Sequence, residues 1–130
     1  MKQKVFISYS WKDKAYAENL SSLLREKGFS TWSDVEIKPG DDWSESIKDK
    51  LKESDVVILL LSEDYQTSRF SLVELGAALG LGKKVIPISI SGKNDSFGLF
   101  EKSQILDGRQ LNKDKLIHII RDSASEEVAA

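Results

Sequence analysis

The stretch DVVILLLS, residues 55 to 62, constrains the fold more than any other part of the chain. A strand with one wet face alternates polar and apolar residues, whereas VVILLL is apolar without a break and needs cover on both faces. That pattern belongs to a central strand of a parallel sheet, and the flanking sequence supplies the cover. KVFISYS (4 to 10) is a strand candidate, and Asp13 is placed to cap a following helix in which Tyr16, Leu20, Leu23 and Leu24 recur at helical spacing until Gly28. FSTWSD (29 to 34) is the next strand. Beyond Lys38-Pro39-Gly40, Asp42 and Glu45 form a capping box for a helix that buries Trp43, Ile47 and Leu51. The helix of SRFSLVELGAALGLGKK (68 to 84) and the strand KVIPISI (84 to 90) follow the central run. A weak strand near Ile105 to Leu111 and a helix capped by Asn112, with Leu116, Ile119 and Ile120 inward, complete five β-α units. SASEEVAA lacks periodicity, so the expectation is one domain over residues 1–122, with 123–130 a frayed tail or the start of a linker.

Strand and helix in alternation, joined by right-handed crossovers, predict an α/β fold: a flavodoxin-like five-stranded parallel sheet with helices on both faces. At 130 residues the chain can hide about two thirds of its unfolded surface and needs no staples. It has no cysteine and one histidine, His118, which excludes thiolate chemistry, Ser-His or Cys-His pairs and a His/Cys zinc site. No metal is expected, and His118, between Ile117 and Ile119, reads as a helix-surface or partly buried residue with no chemical role. Any catalysis must use carboxylates. A formal net charge of −2 without a basic tract gives no electrostatic case for nucleic acid. MKQKVFISYS is too short and polar for a signal peptide and no apolar run approaches a membrane span, so the chain reads as cytoplasmic.

Sites in such sheets open at the carboxyl ends of the strands. The first of these ends, SYSWKD, has no glycine and cannot form the G-x-G-x-x-G turn of a tightly held dinucleotide. A phosphate-accepting receiver domain wants an acidic pair after the first strand and an aspartate ending the third. Those positions hold Ser10-Trp11 and Leu61-Ser62, with Asp64 two residues late.

Three stretches, VFISYSWKD, WSDVEIKPGD and SRFSLVELGAALGLGKKVIPI, resemble the motif regions of Toll/interleukin-1 receptor (TIR) domains, in the same order and at matching intervals. The resemblance runs from about Lys4 to Arg121. It implies a domain of immune signalling and cell-death pathways. Some members are scaffolds that bind other TIR domains; many bacterial, plant and axonal members cleave NAD+ to nicotinamide and ADP-ribose or a cyclic variant. In the enzymes a glutamate on the third helix, preceded by an aromatic four residues earlier, is catalytic, and Glu74 and Phe70 occupy those positions. The family usually has Trp where this chain has Phe70; the ring is kept and the indole donor lost.

If Ser68 caps that helix, Phe70 and Glu74 form an i, i+4 pair on one face while Leu72, Leu75 and Leu79 turn inward. NAD+ is the substrate in this reading, and no cofactor is needed. Its leaving group already carries positive charge, so departure needs no proton donor; a fixed carboxylate stabilises the cationic ribose that remains. Phe70, Tyr9, Ser10 and Trp11 are the candidates to surround the nicotinamide riboside, and Lys12 or Lys38 to meet phosphates. Two structural alternatives stand beside this. Ser71 and Glu74 fit a capping box for a helix that starts later, and Phe70, Tyr9 and Trp11 fit core positions equally well.

DVEIKPGDDW reads as a projecting loop, because Pro39 fixes one backbone angle and Gly40 permits a tight reversal. The resemblance implies that Glu36, Lys38, Pro39, Gly40 and Asp41 contact a neighbouring copy, which completes the NAD+ pocket. Expected partners are other TIR domains and a fused or associated sensor domain, in bacterial immune defence. The competing reading is a non-enzymatic TIR–TIR interaction module.

Overall fold

The computed structural model of the chain describes residues 3–33, 49–62, 82–90 and 105–129. In chain order these hold β1 (Lys4–Ser8), α1 (Lys14–Glu26), β2 (Ser30–Ser33), β3 (Val56–Leu61), β4 (Lys84–Ser89), β5 (Leu106–Asp107) and α2 (Lys113–Ala129). Single 3-10 turns lie at Trp11–Asp13 and Gly108–Gln110, and the backbone is helical over residues 49–53. The five strands form one sheet in the order β2-β1-β3-β4-β5, with every pairing parallel. This is the flavodoxin-like order expected from the sequence.

All six residues of β3 are buried, as an unbroken apolar run requires. The register pairs Val5 with Val56 and Ile7 with Ile58 across β1 and β3, and Ile58 with Ile86 and Leu60 with Ile88 across β3 and β4. These side chains share one face. There they meet Ala17, Leu20 and Leu24 of α1 and Leu116, Ile117 and Ile120 of α2 in one core cluster. Phe6, Val57, Leu59 and Leu61 alternate to the opposite face and are equally buried. Phe6 packs against Trp32, its register partner in β2, with ring centroids 5.0 Å apart. Leu51, from the helical residues 49–53, is fully buried outside the first cluster. Each such leucine contributes about 1.5–3 kcal/mol by leaving water.

The chain stops α1 with a hydrogen-bonded reversal. Gly28 takes φ +94°, its N–H donates to the Arg25 carbonyl at 3.0 Å, and the Phe29 N–H reaches back to the Leu24 carbonyl at 3.0 Å. Phe29 and Leu24 both enter the core, completing a Schellman motif with its apolar contact. At the start of α2 the Asn112 side chain accepts from the Lys115 N–H at 3.0 Å, the cap expected there. The amino ends of β1 and β3 are joined reciprocally: the Lys4 N–H donates to the Asp55 carboxylate and the Asp55 N–H to the Lys4 carbonyl, both at 2.8 Å.

Two segments differ from expectation. The weak strand expected over Ile105 to Leu111 is paired only at Leu106 and Asp107. The Asp107 carboxylate accepts from the Arg109 N–H at 3.0 Å, which turns the chain into the 3-10 segment and ends the ladder. Residues 123–129, expected to fray, continue α2 as helical backbone. Ala and Glu propagate a helix readily once it is nucleated, even without an apolar stripe. The proposed cap at Asp42 and Glu45, with Trp43 and Ile47, lies outside the described residues.

Candidate functional site at the strand carboxyl ends

From β1 the chain passes to β2 on one side of the sheet, and all later strands lie on the other, so the switch point falls between β1 and β3. A crevice opens there in sheets of this order. The β1 end is polar and enclosed: Ser8, Tyr9 and Ser10 are 0%, 3% and 3% exposed. The Tyr9 ring belongs to the core cluster shared with α1 and α2 and presents no open face to solvent. Trp11 opens the 3-10 turn, followed by exposed Lys12, and the turn is closed by the Asp13 N–H donating to the Ser10 carbonyl at 2.8 Å.

Asp13 occupies the residue before α1, where a carboxylate was expected to cap the helix; it makes no side-chain cap hydrogen bond. Its Oδ2 instead accepts from Ser62 Oγ at 2.7 Å. Ser62 follows β3 directly and is 5% exposed. Tertiary structure thus diverts the carboxylate from its local partner to one 49 residues away. Ser62 was visible in the sequence only as the residue standing where a receiver domain would end its third strand with an aspartate. Nothing in the local pattern announced its hydroxyl as a partner for Asp13.

A second contact fixes α1 at this end of the sheet. Tyr16 Oη donates to the Gly108 carbonyl at 2.7 Å, just past β5. Burial, followed by the nearby Asp107 carboxylate, pushes the Tyr16 phenol above its ordinary pKa. Asp107 is held below the usual carboxylate range, chiefly by the Arg109 backbone N–H; desolvation opposes this, and the Arg109 side chain adds to the lowering.

The described edge therefore brings together Ser10, the backbone of Trp11, Asp13 and Ser62. Glu74, Phe70, Glu36, Lys38, Pro39, Gly40 and Asp41 lie outside the described residues. Among the described residues no three His, Cys, Asp or Glu side chains are grouped to hold a metal, and no helix is long and apolar enough to cross a membrane. His118 stands on the α2 surface, 77% exposed, 3.1 Å from the Asp122 carboxylate. A shallow cleft of about 210 Å³ opens beside Lys4, Thr31, Trp32, Lys50 and Glu53, at the amino ends of β1 and β2 and so away from the switch-point edge.

Comparison with known proteins gives the same fold by independent routes. Over 132 aligned residues the chain is 26% identical to the probable 2′ cyclic ADP-D-ribose synthase TcpO of Methanobrevibacter olleyae, covering 95% of this chain and 39% of that protein. It spans well under half the length of the curated relatives it matches. The TIR domain of the Toll-related receptor TRR-2 from Hydra magnipapillata superposes with a TM-score of 0.75 at 24% identity, over 90% of this chain and 97% of that one. The TIR domains of the activated Roq1 resistosome superpose with a TM-score of 0.60 at 25% identity, over 71% and 60% of the two chains. The family model described as "TIR domain" matches residues 5–120. That span begins in β1 and ends at the buried Ile120 of α2, taking in the switch point and all five strands, and the chain belongs to the TIR-domain family.

Proposed function

We propose that this TIR domain cleaves the nicotinamide–ribose bond of NAD+, releasing nicotinamide and ADP-ribose or a cyclic ADP-ribose. The observation that carries this reading is the likeness to a probable 2′ cyclic ADP-D-ribose synthase over 95% of the chain. A 2′ cyclic ADP-ribose is what remains of NAD+ after nicotinamide departs and a ribose hydroxyl of the same molecule closes on the anomeric carbon. As the bond breaks, its electron pair stays on the nicotinamide nitrogen and cancels the positive charge there. The ribose becomes oxocarbenium-like, and water or an internal hydroxyl attacks it and loses a proton to solvent. Glu74 is the carboxylate that stabilises the cation, with Phe70, four residues before it in the sequence, as a flat surface. Ser10 and Trp11 flank the nicotinamide riboside, and the buried Tyr9 acts from beneath by fixing the strand end that carries them. Lys12 or Lys38 meets the phosphates.

We further infer activation by self-assembly through Glu36, Lys38, Pro39, Gly40 and Asp41, with a neighbouring TIR domain completing the pocket and a fused or associated sensor gathering the copies. The likeness to the TIR domains of a resistosome supports this. Head-to-tail contacts of that kind do not close and extend into filaments. The setting is cytoplasmic bacterial immune defence. The experiment is nicotinamide release by concentrated wild type and by Glu74→Gln, which keeps size and helix propensity but not charge. A loss of at least about a hundredfold is expected. Equal turnover would remove Glu74 from catalysis, and no release by wild type at any concentration would leave the interaction-module reading.

A further inference from the structure

We infer that Asp13 and Ser62 are a positioning pair for this proposed cleavage, holding residues 10–12 against the β3 exit and thereby setting the affinity for NAD+. Three observations converge on the pair. The β1–β3 ladder ends at Ser8 and Leu59, while β3 stays paired with β4 through Leu61 and Ser89. That last rung of β1 and β3 lies at the switch point, where a ligand would enter. The Ser62–Asp13 hydrogen bond, 2.7 Å, joins the two chains beyond that last rung.

The second observation is local. Asp13 is the residue before α1, but its backbone belongs to the 3-10 turn, at φ −99° and ψ 18°, and its side chain makes no cap bond; its Oδ2 accepts from Ser62 instead. The carboxylate is thereby committed to a partner across the switch point and not to its own helix. The third is enclosure. Ser62 is 5% exposed and Ser10, whose carbonyl takes the Asp13 N–H, is 3% exposed. Asp13 itself is half-buried; its charge-assisted bond to the enclosed Ser62 hydroxyl is directional, and Asp13 transmits it to the turn through its own backbone. Ser62 also directly precedes the segment that carries Phe70 and Glu74. One bond therefore links the part of the chain assigned to the nicotinamide riboside with the part assigned to the chemical step. Neither residue touches the reacting atoms in this account; both act through Ser10, Trp11 and Lys12.

The inference rests on the NAD+ reading for its kinetic signature and on geometry alone for its second signature. Ser62→Ala, Asp13→Ala, the double variant and the hydroxyl-retaining Ser62→Thr are compared with wild type. The readouts are KM and kcat for nicotinamide release, thermal midpoint, and hydrogen exchange at the Asp13 amide. Each Ala variant should raise KM about tenfold with kcat within about twofold, since a loosened turn weakens binding more than the step governed by Glu74. The double variant should be no worse than either single one, and Ser62→Thr should restore KM. A purely structural pair would lower kcat along with the thermal midpoint and leave KM alone, which overturns the proposal, as would effects that multiply in the double variant. Should an Ala variant not fold, Asp13→Asn, which keeps an oxygen acceptor, should give an intermediate KM; an unchanged KM there overturns the proposal. Exchange at the Asp13 amide should quicken at least about tenfold in the Ala variants while amides of β3 keep their protection. If wild type releases no nicotinamide, the cleavage reading fails and this exchange decides the pair: unchanged exchange would show that the bond positions nothing.

Discussion

Tyr16 and Gly108 meet through a 2.7 Å hydrogen bond from phenol to carbonyl, tying the first turn of α1 to the residue that follows β5. The contact depends on glycine for space. A Cβ at Gly108 would lie 2.7 Å from Ile88 Cγ2, 2.8 Å from the Tyr16 hydroxyl and 2.9 Å from Ile90 Cγ2. Gly108→Ala should therefore lower stability by about 1–3 kcal/mol through overpacking, read from the midpoint of urea unfolding. Tyr16→Phe removes one of the three obstructing atoms, so the double variant should cost less than the sum of the single ones.

Alkaline titration isolates the same phenol. The folded state raises the Tyr16 pKa above its ordinary value of about 10, so the native protein holds this proton more tightly than the unfolded chain. The resulting stability is complete below the unfolded value and is lost as pH rises through the folded one. Above pH ~10, wild type should lose stability more steeply than Tyr16→Phe, whose alkaline limb lacks this contribution. Parallel limbs in unfolding curves collected across that range would contradict the coupling.

Gly28 tests backbone conformation apart from space. Its φ is +94°, yet a Cβ there would meet nothing within 4 Å. Gly28→Ala should cost about 1–2 kcal/mol from the left-handed backbone alone, and Gly28→Asn less, because asparagine tolerates that region. Equal thermal midpoints for the three proteins would mean that the turn after α1 relaxes without loss.

Much of this fold is legible in the sequence because its strongest signals are local and repetitive. Val56 to Leu61 could only be a strand covered on both faces, and Leu20, Leu24, Leu116 and Ile120 mark helix faces by spacing alone. Gly28 and Asn112 act at helix ends through partners within a few residues. What escaped a linear reading depends on distant partners. Asp13 looked like a cap because its competitor, Ser62, lies 49 residues on. The strand near Leu106 is short because Asp107 folds onto Arg109, and the chain beyond it is held down by Tyr16, 92 residues away from Gly108. Tyr9 fits core or ligand by composition; just past β1 and two residues after Ile7, it continues the strand's alternation, and its ring lies with Val5 and Ile7 in the core.

NAD+ cleavage by an assembled pocket is tested most simply by nicotinamide released per molecule by wild type and Glu74→Gln over a wide protein dilution series. Wild type should be nearly inactive when dilute and rise steeply with concentration, as assembly supplies the effective concentration of the neighbouring copy. Lys38→Glu should blunt that rise without unfolding the domain, and Glu74→Gln should stay at background throughout. Full wild-type activity independent of dilution would contradict assembly of the pocket. Release by Glu74→Gln equal to wild type, or no release by wild type even when concentrated, would contradict cleavage of NAD+ by Glu74.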